Sequence, residues 1–100
     1  MSPKRDEGVA RMLEGYRDLI RSFTGGGISA DEFETSYLSQ FKDDPNQVTG
    51  DEFDVLDGLF ADVDAYVSDP TLRASAGGIS GEELRERARA AYARLFNSGE

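Results

Sequence analysis

The chain has 100 residues, of which 38% are apolar and 31% charged, and its formal net charge is −9. That balance suits one small globular domain over 1–100 rather than a disordered tail, and no apolar run nears the roughly 20 residues that span a bilayer. Cysteine and histidine are both absent, which excludes disulfides, thiolate or imidazole metal sites and the usual acid–base side chains near neutral pH, so no cofactor and no catalysis are expected.

Residues 1–7 are polar and run straight into an amphipathic segment, a pattern without a secretory signal that sets the expectation of a cytoplasmic protein. Val9, Met12, Leu13, Tyr16, Leu19, Ile20 and Phe23 then recur at i, i+3, i+4 and predict a first helix from about Asp6 to Phe23, ended by Gly25-Gly26-Gly27. Glu7–Arg11, Glu14–Arg17 and Asp18–Arg21 lie at helical pair spacing on its other side. Three later starts share one signature, a Ser/Thr followed three residues on by Glu: Ser29 with Glu32, Thr49 with Glu52, and Ser80 with Glu83. Each reads as a capping box, and each has an apolar staple across it, Ile28 with Phe33, Val48 with Phe53 and Ile79 with Leu84.

These boxes open a second helix over about 30–42 burying Phe33, Tyr37, Leu38 and Phe41, and a third over about 50–67 burying Phe53, Leu56, Leu59, Phe60, Val63 and Val67. A fourth, over about 81–96, buries Leu84, Ala88, Ala91, Tyr92 and Leu95, with Glu83–Arg87 and Glu86–Arg89 dressing its outer face. The links 24–28 and 43–48 are short enough for antiparallel neighbours, whereas 68–79 is a long loop of the kind that often carries function. The expected fold is therefore all-α, a single-domain antiparallel four-helix bundle over about 7–96, with flexible ends at 1–5 and 97–100.

The charge is unevenly placed. Nine acids and no Lys or Arg lie between Asp43 and Leu72, while the rest of the chain is balanced. Nucleic acid is an improbable ligand for such a surface, because phosphate calls for Lys and Arg. Calcium fails on spacing: an Ile-Ser-x-x-Glu end would place Arg21, Phe41 or Leu72 at the first ligand position of an EF-hand loop. Paired-carboxylate catalysis by Asp62, Asp64 and Asp69 lacks any cleft to raise one pKa. Two readings of the stripe remain, a solvated face that maintains solubility or a surface that meets a basic protein. Asp54, Asp57 and Asp64 fall along one edge of the third helix, with Asp62 and Asp69 beside them and Tyr66, of a residue type enriched at interfaces, near the end. Arg73, the lone base between Lys42 and Arg85, is expected to pair with Asp69 or Glu82 unless it touches a partner.

The stretch from Asp57 to Pro70 (DGLFADVDAYVSDP), with Leu72-Arg73 and then Ile79-Ser80-Gly81-Glu82-Glu83-Leu84, resembles the bacterial self-protective immunity family of the colicin D type. Ile28 to Glu34, with Tyr37, Leu38 and Phe41, is similar to that family's second helix, so the likeness covers about 7–96. It implies a small acidic four-helix protein that covers the basic cleft of a bacteriocin nuclease domain, an RNase or tRNase, with acids in place of RNA phosphates; a monomer is expected. By position, Asp64 and Asp69 match acids that face the toxin's cleft. Asp64 stands where a member of the family carries the longer glutamate, and the triple-glycine loop and Arg-rich last helix also depart from it. The expected toxin surface joins Asp64 and Asp69 to the rest of the stripe and its loop, Asp54, Asp57, Asp62, Tyr66 and Arg73; the alternative is an acidic helical adaptor for a basic protein that is not a toxin.

Overall fold

A computed structural model of the chain describes residues 7–97, and over these it is all-helical. The ends expected to be flexible lie outside the described residues, apart from Asn97, which closes a helical turn. The elements are α1 (Glu7–Thr24), α2 (Ala30–Asp43), α3 (Asp51–Asp64), α4 (Pro70–Ala76) and α5 (Gly81–Tyr92), the last running into a π-helical turn, Ala93–Asn97. None of these helices is long and apolar enough to cross a membrane. The four longer helices lie at the four expected places, with α3 shorter than expected and the last turn of the final helix π-helical; α1 packs on α2 and α5, and α3 packs on the same two.

The apolar periodicity accounts for the core. Met12, Leu13, Tyr16, Ile20 and Phe23 of α1 meet Phe33 and Tyr37 of α2, Leu56, Leu59 and Val63 of α3, and Leu84, Ala88 and Ala91 of α5 in one cluster, closed by Leu95 of the π turn. Aromatic rings run through it along α2. Phe23 stacks on Phe33 at 4.3 Å, Phe33 meets Tyr37 at 5.4 Å, Tyr37 stacks on Phe41 at 6.0 Å, and Phe41 stacks on Phe60 at 4.7 Å. Offset aromatic pairs of this kind add about 0.5–1.5 kcal/mol each beyond the area they bury. The fully buried Tyr37 has one polar atom, and its hydroxyl donates to the Leu56 carbonyl oxygen of α3 at 2.8 Å. Burial, ahead of the nearby charges of Tyr16, Asp57 and Asp62, raises this phenol's pKa, as burial also raises that of Tyr16, which donates to Asp44 Oδ2 at 2.7 Å.

Two of the three capping boxes form. Ser29 Oγ accepts from the Glu32 amide at 3.1 Å and Glu32 Oε1 accepts from the Ser29 amide at 2.9 Å, and Ser80 and Glu83 repeat this at 3.1 and 3.0 Å. The Thr49–Glu52 box does not. The N-cap of α3 is Gly50, without a side-chain cap bond, and its φ of 149° is a conformation that a side chain disfavours. Glycine lets the chain turn into the helix one residue later, which moves Thr49 out of register with Glu52.

The third helix also ends earlier than expected. Its last residue is Asp64, and the following residues peel away to form an isolated parallel bridge between Tyr66 and Ile79. The Ile79 amide donates to the Ala65 carbonyl oxygen and the Val67 amide to the Ile79 carbonyl oxygen, both at 3.0 Å. The long loop between them is not structureless, because it holds α4. Asp69 caps α4 with Oδ1 accepting from the Thr71 amide at 2.8 Å, and Pro70 occupies the first turn, where its missing N–H costs nothing. Gly78 lies against the bridge with φ 109°, and a Cβ there would sit 2.7 Å from Val67 Cγ2 and 2.8 Å from the Ala65 carbonyl oxygen.

Two stability predictions follow from these geometries. Ser29→Ala and Ser80→Ala each cost about 1 kcal/mol, or roughly 4–8 °C in melting temperature, whereas Thr49→Ala leaves the melt unchanged within about 1 °C; thermal denaturation of the three variants checks this ranking. Gly78→Ala costs about 2 kcal/mol because the backbone must leave its conformation and the bridge must open, and loss of slow amide exchange at Val67 and Ile79 reports the opening.

Candidate functional site

The expected surface residues divide into two groups around α3. Asp62 and Asp64 are two residues apart, about 200° around a helix axis, and so they face different neighbours. Asp62 is the less exposed of the two and forms an ion pair with Arg87 of α5, Nη1 to Oδ1 at 2.7 Å. With Asp54 it borders a shallow groove between α3 and α5 that Arg87 and Arg94 also line. The base-free window of the sequence is thus partly neutralised from elsewhere in the chain, and Arg87 reaches Asp62 while Glu83, its expected partner, caps α5. Glu86–Arg89 does form along α5, at 2.8 Å.

Asp64 lies on the other side, toward α2. There it comes within electrostatic reach of Glu34, whose carboxyl is held above the usual carboxylate range by partial burial first and then by Asp31 and Asp64. Asp31 accepts a hydrogen bond from the Tyr66 hydroxyl, Oη to Oδ1 at 2.8 Å. Burial, then that bond and the Asp31 charge, push the Tyr66 phenol up to about 12, while Arg73 nearby acts in the opposite sense. One patch therefore gathers Asp31 and Glu34 from α2, Asp64 from the end of α3, and Tyr66 from the bridge. Asp57 is exposed on α3, and Asp69 is exposed at the start of α4.

Arg73 departs from its expected pairing. Its Nη1 donates to the Val67 carbonyl oxygen at 2.6 Å, and the side chain is half-buried, so it fastens α4 to the bridge. Asp31 and Glu34 are the residues that sequence reading misses. They sit in a helix whose charges look ordinary, and only the packing of α2 on α3 adds them to Asp64. The acids are arranged as a surface: among the described residues no group of three carboxylates converges closely enough to hold a metal ion.

Most bases sit on α1 and on α5 with its π turn, where they nearly balance the acids Glu7, Glu14, Asp18, Glu82, Glu83 and Glu86. α1 carries Arg11, Arg17 and Arg21, while α5 and its π turn carry Arg85, Arg87, Arg89 and Arg94. Several are engaged in packing these elements together. Arg85 Nε donates to the Phe23 carbonyl oxygen at 3.2 Å with its guanidinium 4.9 Å above the Phe23 ring, and Arg17 lies 5.6 Å above the Phe96 ring.

A family model described as bacterial self-protective colicin-like immunity matches residues 12–95, from the first buried core residue of α1 to the last of the π turn. Comparisons with curated proteins and with solved structures give no match. With the match spanning the whole core, the chain belongs to the bacterial self-protective colicin-like immunity family.

Proposed function

We propose that this protein is a colicin D-type immunity protein that binds and inhibits a bacteriocin nuclease domain, an RNase or tRNase, through its acidic surface. Family membership supports the coarser part, a bacteriocin immunity protein that binds a toxin rather than catalysing a reaction. The finer part rests on charge. A nuclease that cuts RNA offers a positive groove, and carboxylates on a rigid helical support complement it as phosphates would. The protein acts as a monomer in the cytoplasm, where the toxin is made or arrives.

The observation that carries this reading is the gathering of Asp31, Glu34 and Asp64 from two helices on one surface, where partial burial first and then the two neighbouring carboxylates raise the Glu34 pKa. Like charges so placed oppose folding, and a basic partner relieves them. Asp69 extends the patch along the chain, and capping α4 occupies its Oδ1 without neutralising the charge. Asp62 contributes less, because Arg87 already balances it.

Association kinetics test the assignment. Steering separates charged from neutral pairs by about 10²–10³ in on-rate; spread over four acids, that is roughly three- to sixfold for each charge removed. Asp64→Asn with Asp69→Asn, the latter keeping a good N-cap, slows by about tenfold or more at low salt the association with the bacteriocin nuclease domain that this protein neutralises, and the deficit shrinks in high salt. Asp62→Asn changes the rate less than twofold, approximately, on the same logic. A wild-type on-rate in the double variant refutes this surface.

Glu34→Gln gives a separable result. Removing a carboxylate that is partly desolvated and crowded by Asp31 and Asp64 raises the melting temperature at pH 7 and lowers the on-rate together. The sign follows from the raised pKa: the folded state binds the Glu34 proton more readily, so the melting advantage of the variant fades as pH falls through the carboxylate range. Melting curves at pH 7 and pH 4 check it.

A further inference from the structure

Helix α4 bears no buried residue, and Leu72 is 57% exposed, the one large hydrophobic side chain so placed among the described residues. At seven residues it is shorter than the roughly 12–15 at which isolated helices become even marginal in water. Polar and backbone restraints hold it instead. Asp69 caps its start, the Gly77 amide donates to the Arg73 carbonyl oxygen at 2.9 Å at its end, and Arg73 Nη1 ties its middle to Val67. The Tyr66–Ile79 bridge clamps the two ends of the excursion together. A short helix is thus built at some cost in chain entropy with no fully buried side chain of its own and only Arg73 half-buried.

Its chemistry is also unlike that of its surroundings. From Pro70 to Gly81 the single charged residue is Arg73, in a chain that is 31% charged, and that guanidinium turns back to the backbone. The exposed side chains are Pro70, Thr71, Leu72, Ala74, Ser75 and Ala76. Single surface leucines need no explanation. A restrained, uncharged helix crowned by one and bordered by Asp69 has the make-up of an interface centre, where charge is depleted in the middle and kept at the rim.

We propose that α4 is the apolar anchor of the toxin interface, with Leu72 entering an apolar pocket on the nuclease domain that Lys or Arg side chains surround. This rests on the function proposed above. The acidic border selects the occupant: bases around the pocket complement Asp69 and the Asp64–Glu34–Asp31 patch, whereas a second copy of this chain, itself at −9, would bring acids against acids. The anchor governs how long the complex lasts, and the acids govern how fast it forms.

The test compares Leu72→Ser and Leu72→Met with the Asp64→Asn/Asp69→Asn variant, using the full chain and the bacteriocin nuclease domain that it neutralises. Leu72→Ser keeps the wild-type melt, speeds dissociation by about tenfold or more and leaves association within about twofold, while Leu72→Met restores dissociation to within about threefold of wild type. Wild-type dissociation in Leu72→Ser overturns the anchor even where the acid variant still associates slowly, an outcome that leaves the acidic surface standing. Wild-type kinetics in both variants overturn both proposals. A concentration-dependent dimer of the wild-type chain that Leu72→Ser abolishes, seen by sedimentation, assigns α4 to self-association and also overturns the anchor.

Discussion

The position of α2 against α3 controls everything on the acidic side of this molecule, and the Tyr37 hydroxyl with the ring row beneath it sets that position. A buried phenol without an acceptor would cost about 1–3 kcal/mol, so the Leu56 carbonyl oxygen fixes both where α2 sits along α3 and how it is rotated. The packed row of rings from Phe33 through Tyr37 and Phe41 to Phe60 admits little sliding. Because Asp31 and Glu34 ride on the same helix as Tyr37, a packing decision in the core places two carboxylates next to Asp64 on the surface.

A second constraint operates where α3 ends. The Tyr66–Ile79 bridge takes residues that periodicity alone would add to the helix and makes them extended, which swings the Tyr66 ring back over α2 to reach Asp31. Gly78 makes this possible, since a side chain there would strike Val67 and the Ala65 carbonyl oxygen. The same bridge supports α4. Core packing, a backbone pair and a surface helix form one chain of dependence leading from the interior to the residues proposed to meet a toxin.

Much of this was legible in the sequence where the cause is local. The boundaries of α1 and α2, the boxes at Ser29 and Ser80, and the inward residues follow from i, i+3, i+4 spacing and cap chemistry. The Thr49 box failed because Gly50 offers a competing start that pattern matching does not weigh. Helix α4 had its signal, an Asp immediately before a Pro, but its lack of apolar periodicity hid it. What could not be read was long-range: the backbone pairing of Tyr66 with Ile79, the neutralisation of Asp62 by Arg87 across 25 residues of chain, and the joining of Asp31 and Glu34 to Asp64.

The arginines held on α1, α5 and the π turn have an effect beyond the packing they support. With acids and bases nearly balanced on α1 and α5, and ten acids against the single base Lys42 on α2 and α3, the folded protein has a lasting electric moment. In the field of a positively charged body it experiences a torque as well as a pull, so it turns its acidic flank forward during diffusion, and the fraction of collisions that arrive in a productive orientation rises before any side chain has touched.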